Sequence, residues 1–197
     1  MREQRKHRSI CNFQTWLVTL IIYICMPQEL LSQEIAMKSN VLYDLTTTLN
    51  LGGEIRCSKR RTIHLSLNYN PWEFGNNKKM KHFLIQPEYR WWFENAFTGS
   101  FIGVQAHFAQ YNFGGMTPFT TVKENRYQGH LFGIGATYGY QWMLTPFWNL
   151  EASISLGYAR LGYNKYGPEK GDFLREESNT NYFGPTQIGI SFVYFIQ

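Results

Sequence analysis

Cysteine is scarce in this chain: Cys11, Cys25 and Cys57 are the only three. The first two fall in an N-terminal segment that reads as a removable leader, which leaves Cys57 alone. A lone thiol makes no internal disulfide, and no other cysteine or histidine flanks it at metal-ligand spacing. The small disulfide scaffolds are thereby excluded. Charge is also thin, at 17% of residues, and scattered rather than grouped, so nothing marks a nucleic-acid surface. After residue 26 no apolar run approaches the roughly 20 residues of a spanning helix. Phosphate cradles are missing too: no helix pattern follows Gly114-Gly115 or Gly167-Pro168, which are loop punctuation.

What is present begins with a leader. Arg2, Arg5, Lys6 and Arg8 form a charged head, residues 16–26 are almost wholly apolar, and polar residues with Ser32 follow. This order predicts a secretory signal over 1–32, with the mature domain at 33–197. Its apolar middle is too short for a membrane anchor. Removing its four basic and two acidic residues takes the formal net charge from +5 to +3.

The mature chain is rich in Tyr, Phe, Trp and Gly, and its hydrophobicity alternates. In 148–158, Trp148, Leu150, Ala152, Ile154, Leu156 and Tyr158 occupy every even position. Asn149, Glu151, Ser153, Ser155 and Gly157 fill the odd ones. Side chains on a strand alternate faces, so this segment has one greasy and one polar side. The same pattern recurs in 36–45, 50–57, 62–72, 81–94, 100–111, 127–144, 148–163 and 182–196. An exported chain without a greasy helix can live in a membrane only if its strands close, because closure satisfies every backbone N–H and C=O. The expectation is an all-β fold: an eight-stranded antiparallel up-and-down transmembrane β-barrel.

Loop lengths support that count. Connections 58–61, 95–99 and 145–147 are short, and they alternate with the longer 73–80, 112–126 and 164–181. Bacterial barrels place short turns on the periplasmic side and long loops outside. The first outer connection, at 46–49, has to be tight. Trp91, Trp92, Trp142, Trp148 and Tyr194 gather toward the short-turn end, and Tyr69, Trp72, Tyr158 and Tyr163 toward the other. Amphipathic rings at strand ends predict two interfacial girdles.

The inward set comprises Lys38, Asp44, Glu54, Arg56, His64, Glu88, Arg90, His107 and Glu151. Three cations against four carboxylates is near balance, as a sealed interior of paired charges requires. Eight strands enclose room for side chains or one small ligand, so the lumen is expected to be a filled plug. His64 and Ser66 share a face, with Glu88 or Glu151 as carboxylates that could lie across the lumen, the ingredients of nucleophilic catalysis. Two positions along a strand are about 7 Å apart, too far for a direct pair. The expectation is therefore a structural polar core with no catalytic, cofactor or metal residues. Lys78, Lys79 and Lys81 form a small basic run at the outer rim, suited to lipopolysaccharide phosphates.

Several stretches together resemble a Bacteroidetes family known as domain of unknown function 3575. They are N-V-L-Y-D-L-T-T-T at 40–48, L-N-Y-N-P-W at 67–72 and N-K-K-M-K-H-F-L-I-Q-P-E at 77–88. Y-G-Y-Q-W at 138–142, L-E-A-S-I-S-L-G-Y-A at 150–159 and N-Y-F-G-P-T at 181–186 complete the set. The resemblance implies a small exported outer-membrane barrel and no established activity, so no site residue is transferred. The expected protein is a monomeric structural or surface-interaction component of the cell envelope. Its expected partners are outer-membrane lipids, lipopolysaccharide and the barrel-assembly machinery. Two alternatives are an outer-membrane lipid-modifying enzyme and a periplasmic lipocalin-like binder of a small ligand.

Overall fold

The computed structural model describes residues 34–74, 78–114, 126–166 and 174–196. The predicted leader, 1–32, lies outside the described residues. In chain order the elements are β1 (Ile35–Asn40), α1 (Val41–Leu45), β2 (Leu49–Ser58), β3 (Arg61–Asn70), β4 (Glu73–Phe74), β5 (Lys78–Trp92), β6 (Gly99–Gly114), β7 (Arg126–Met143), β8 (Trp148–Tyr166) and β9 (Leu174–Ile196). All pairings are antiparallel. β1 pairs with both β2 and β9, and β3 pairs with β5, so eight strands close into one ring. The two-residue β4 is an appendage on the loop end of β5. An eight-stranded up-and-down β-barrel is the architecture, as the alternation predicts.

The barrel is inside out relative to a water-soluble one. Leu51, Leu65, Val104, Ile134, Leu156 and Ile188 are exposed on its wall, between 40% and 59% of their surface open. Buried positions are mostly polar or charged, including Glu54, Asn68, Arg90, Gln105 and Glu151. Register explains the strictness. Each pairing keeps partners on one face, and a one-residue slip would exchange the two sets.

The described hydrophobic core is small and sits at the short-turn end. Ala36, Trp92, Ala96, Phe97, Phe101 and Val193 form it, with Phe195 packed alongside. Phe97 comes from the β5–β6 turn, not from a strand. Its backbone is left-handed (φ 67°), as is that of Gly99 (φ 75°). That conformation is uncommon for a bulky side chain and persists only where surroundings enforce it. Here the ring lies 5.9 Å from Trp92 and 5.1 Å from Phe195, and Asn149 Nδ2 donates to the Phe97 carbonyl at 3.1 Å.

Three expectations need correction. The predicted first strand, 36–45, stops at Asn40. Asn40 accepts from the backbone N–H of Leu42 at 3.0 Å and caps α1. Asparagine is among the best N-caps because its side chain satisfies a donor that the helix leaves open. The alternating Val41, Tyr43 and Leu45 are therefore in one helical turn. Trp92 is not in a girdle: it is 2% exposed, and its indole N–H donates to Thr62 Oγ1 at 3.0 Å inside the barrel. Tyr163 also faces inward, opposite Gly129 and edge-on to Tyr127 at 5.6 Å. Trp91, Trp142, Trp148 and Tyr194 do stand exposed toward the short-turn end, and Tyr69, Trp72 and Tyr158 toward the loop end.

Candidate functional site

Arg90 is the centre of the interior. β5 carries Glu88 and Arg90 on its inward face, β2 carries Glu54, β3 carries Thr62 and His64, β1 carries Lys38, and β8 carries Glu151. Cross-strand pairing sets Glu54 beside His64, His64 beside Glu88, and Thr62 beside Arg90. The Arg90 guanidinium then reaches three carboxylates. Nη2 and Nε donate to Glu88 Oε2 at 2.6 and 2.8 Å, and Nη1 donates to Glu54 at 3.0 Å and to Glu151 at 3.1 Å. Lys38 Nζ bridges Glu54 and Glu151, and Thr62 Oγ1 donates to the other oxygen of Glu54. The Arg90 guanidinium also lies over the Phe101 ring, 4.4 Å from its centroid.

Every ion in this knot is nearly inaccessible: Arg90 is 1% exposed and Glu54 0%. Burying such charges is tolerable only when each is paired and hydrogen-bonded. The planar fork of arginine can serve several carboxylates at once, which a lysine ammonium does less well. Lys38 and Arg90 face Glu54, Glu88 and Glu151, and His64 Nδ1 lies 3.4 Å from Glu88 Oε2 and 3.3 Å from Arg90 Nη2. With a neutral imidazole the knot carries one negative charge in excess. Glycine makes room for it at two places. A Cβ on Gly103 would fall 3.1 Å from Glu88 Cδ, and one on Gly52 would fall 2.8 Å from His64 Nε2.

Lys38, Glu54, His64, Glu88, Arg90 and Glu151 are thus brought together. His107 is buried and inward but stands apart from the knot, with no partner for Nδ1 among the described residues. Asp44 does not belong to the interior, because the helical turn after Asn40 carries it to the exposed rim. There it accepts from Ser39 Oγ at 3.0 Å and Asn50 Nδ2 at 2.7 Å. Arg56 is half-buried at the short-turn end, 2.6 Å from Glu34 and 5.7 Å from the Phe97 ring centroid. Lys81 pairs with Glu73 at 2.6 Å. The side chains of Lys78 and Lys79 lie outside the described residues.

His64 and Ser66 share a face, yet their described partners differ. His64 approaches Glu88 and Arg90, whereas Ser66 Oγ accepts from Asn68 Nδ2 at 3.2 Å. Trp92, Phe97 and Phe101, which cap the knot on its short-turn side, were not part of the sequence-predicted interior. Parity could have placed two of them: Trp92 continues the run Gln86, Glu88, Arg90, and Phe101 precedes Gly103, Gln105 and His107 on the same face. No pattern marks Phe97.

Above the knot, Gln86, Gln105, Thr137, Ser155 and His107 make a neutral polar layer. Thr137 Oγ1 and Ser155 Oγ are 2.9 Å apart, while Gln86 Oε1 and Gln105 Oε1 have no partner among the described residues. A hollow of about 590 Å³ lies at the loop end of the wall, and the strand pairing sets Tyr69, Phe83, Gln110 and His130, and Lys81, Asn112, Gln128 and Asn164, on its outward-facing rows. From the short turns outward, the order of the described interior is aromatic plug, ionic knot and neutral layer.

Residues 17–196 match the family model described as "Protein of unknown function (DUF3575)". The chain belongs to this family. The match spans nearly the whole length, so the barrel wall, the knot and the mouth all lie within the DUF3575 region. No curated protein and no solved structure matches this family member.

Proposed function

We propose that this DUF3575 protein is an outer-membrane β-barrel with a closed lumen, serving as a rigid wall that presents its loop end to the outside. One observation carries the reading: all eight ring strands turn apolar side chains outward around an interior of paired ions. In water that arrangement leaves a large apolar surface solvated, whereas hydrocarbon accepts it. The exposed tryptophans and tyrosines near the strand ends suit the two interfaces. The charged, then apolar, start of the chain suits export. In this reading the barrel-assembly machinery inserts the protein, and Lys78, Lys79 and Lys81 meet lipopolysaccharide at the outer rim.

A closed lumen follows from the plug and the knot. An ion crossing the barrel would have to part Arg90 from three carboxylates and pass Trp92, Phe97 and Phe101. The barrel therefore supports contact and stability rather than flux.

The test is fractionation of cells with and without detergent, followed by electrophoresis of unheated and boiled protein. An outer-membrane barrel is recovered only with detergent and migrates faster unheated. Recovery in a detergent-free periplasmic extract would replace this reading with the soluble lipocalin-like binder. In a planar bilayer, the purified protein is expected to give no sustained conductance.

A further inference from the structure

The outward row of β8 is apolar from Trp148 through Tyr158, and the next residue on that row is Arg160. On β7 the outward apolar run from Trp142 to Phe132 ends at His130, and on β9 the run from Ile196 to Phe183 ends at Asn181. Strand pairing sets Arg160 directly between Phe132 of β7 and Asn181 of β9. Three adjacent strands thus leave the greasy belt together at its loop-end edge, and a cation stands at the centre of that edge.

Arg160 is exposed, and its guanidinium makes no hydrogen bond or ion pair among the described residues. The neighbours on its face include no carboxylate. Toward the membrane stand Tyr158 and Phe183, 43% and 82% exposed. Toward the loops stand His130, Gly162 and Asn179. A Cβ on Gly162 would fall 3.0 Å from His130 Cε1 and 3.1 Å from Asn179 Oδ1, so the glycine keeps a notch open between two polar side chains. The Tyr158 hydroxyl donates to Asn181 Oδ1 at 2.9 Å. That bond occupies the Asn181 oxygen and leaves its amide N–H groups without a partner among the described residues.

From these features we infer that Arg160, with the amide of Asn181 and the imidazole of His130, is a site for the phosphate of an outer-leaflet lipid headgroup. A charge on a barrel wall is costly at the bilayer midplane and tolerated near the interface, so the edge of the greasy belt is where an arginine can stand. There it meets headgroups. The planar guanidinium matches a phosphate with two parallel hydrogen bonds. Amphipathic and aromatic rings suit the junction of acyl chain and headgroup just below it. The inference rests on the outer-membrane reading above and gives it a particular lipid contact, three strands round the ring from the Lys78, Lys79 and Lys81 run on β5.

The experiment uses the full barrel in an amine-oxide detergent, which carries no phosphate. It is titrated with lipid A bearing its phosphates and with the same lipid after enzymatic dephosphorylation, and bound lipid is read by native mass spectrometry. Arg160→Gln removes the charge at an exposed position, where folding is not at stake. Gly162→Val fills the notch without changing any charge. Arg61→Gln is the control, an exposed cation at the short-turn end of β3. The expected result is tighter binding of the phosphorylated lipid, weakened about tenfold or more in Arg160→Gln, weakened measurably in Gly162→Val and unchanged in Arg61→Gln. Unchanged heat-dependent migration certifies the fold of each variant. Equal binding of the two lipids, an Arg160→Gln barrel that binds like the parent, or an equal loss in Arg61→Gln would overturn the site. Inorganic phosphate bound as tightly as the lipid would also overturn it, by assigning the group to a free anion. These failures in a barrel that needs detergent leave the membrane reading standing, whereas recovery of the protein without detergent would remove that reading and the lipid site with it.

Discussion

Replacing Arg90 by methionine tests the interior most directly. The guanidinium donates to Glu88 at 2.6 and 2.8 Å, to Glu54 at 3.0 Å and to Glu151 at 3.1 Å. A unit-charge pair at 4 Å is worth about 4 kcal/mol at an effective dielectric constant near 20. Desolvation of the ions offsets most of that sum, so the pairing energy is a poor guide to net stability. The decisive quantity is what the substitution leaves behind. Without Arg90, Lys38 is the one cation at Glu54 and Glu151, Thr62 still donates to Glu54, and Glu88 keeps His64 at 3.4 Å. Removing one partner of a buried pair costs about 3–5 kcal/mol, because the other charge stays buried. Arg90→Met should therefore destabilise the barrel by about 3–5 kcal/mol. Adding Glu88→Gln removes the carboxylate most dependent on Arg90 and should restore at least about 1 kcal/mol. The assay is urea unfolding of the reconstituted protein, followed by tryptophan fluorescence. Trp92 is a local reporter, packed 4.8 Å from Phe101 beneath the knot. An Arg90→Met barrel within about 0.5 kcal/mol of the parent, or a double variant no better than the single one, would refute the argument.

Two further outcomes follow from the same geometry. Leu156→Arg places a charge on the exposed wall, where 55% of the leucine surface is open. It should cost roughly 2–4 kcal/mol near the bilayer midplane. Ser155→Ala, one position away and inside, should lose only the 2.9 Å contact with Thr137, about 1 kcal/mol. Unfolding from lipid vesicles measures both, and equal effects would contradict the face assignment. Gly103→Ala drives a methyl group toward the Glu88 carboxyl, with Cδ 3.1 Å from the new Cβ. A loss of about 1–3 kcal/mol is expected in the same unfolding assay, and a neutral result would mean that the knot yields freely.

Period-two hydrophobicity carried most of the fold. It found all eight ring strands and sorted nearly every side chain to the correct face. Its failures are local and have physical reasons. At 41–45 the alternation continues, but the Asn40 cap turns the chain into a helix, and a helical turn of five residues is too short to show its own period. Trp92 has the parity of Arg90 yet the chemistry of an interface residue. Strand ends also extend beyond the apolar belt. β8 continues to Tyr166 and β9 starts at Leu174, both into segments that read as loop because the apolar alternation fades in the sequence there.

The site divides in the same manner. Balanced charge among inward residues was legible, because parity collects them without any coordinates. Which of them meet was not. Register along each strand pair sets His64 beside Glu88, but only ring closure brings Glu151 from β8 to Arg90 on β5.

By itself the sequence determined the wall: alternate greasy and polar residues, repeated through eight segments, decide which face meets the surroundings because side-chain direction on a strand is a local property. Tertiary structure alone decided the interior. The meeting of Arg90 with three glutamates and the inward fold of Phe97 from its turn both depend on distances across the ring. Such distances are set when the last strand pairs with the first, and no single segment contains them.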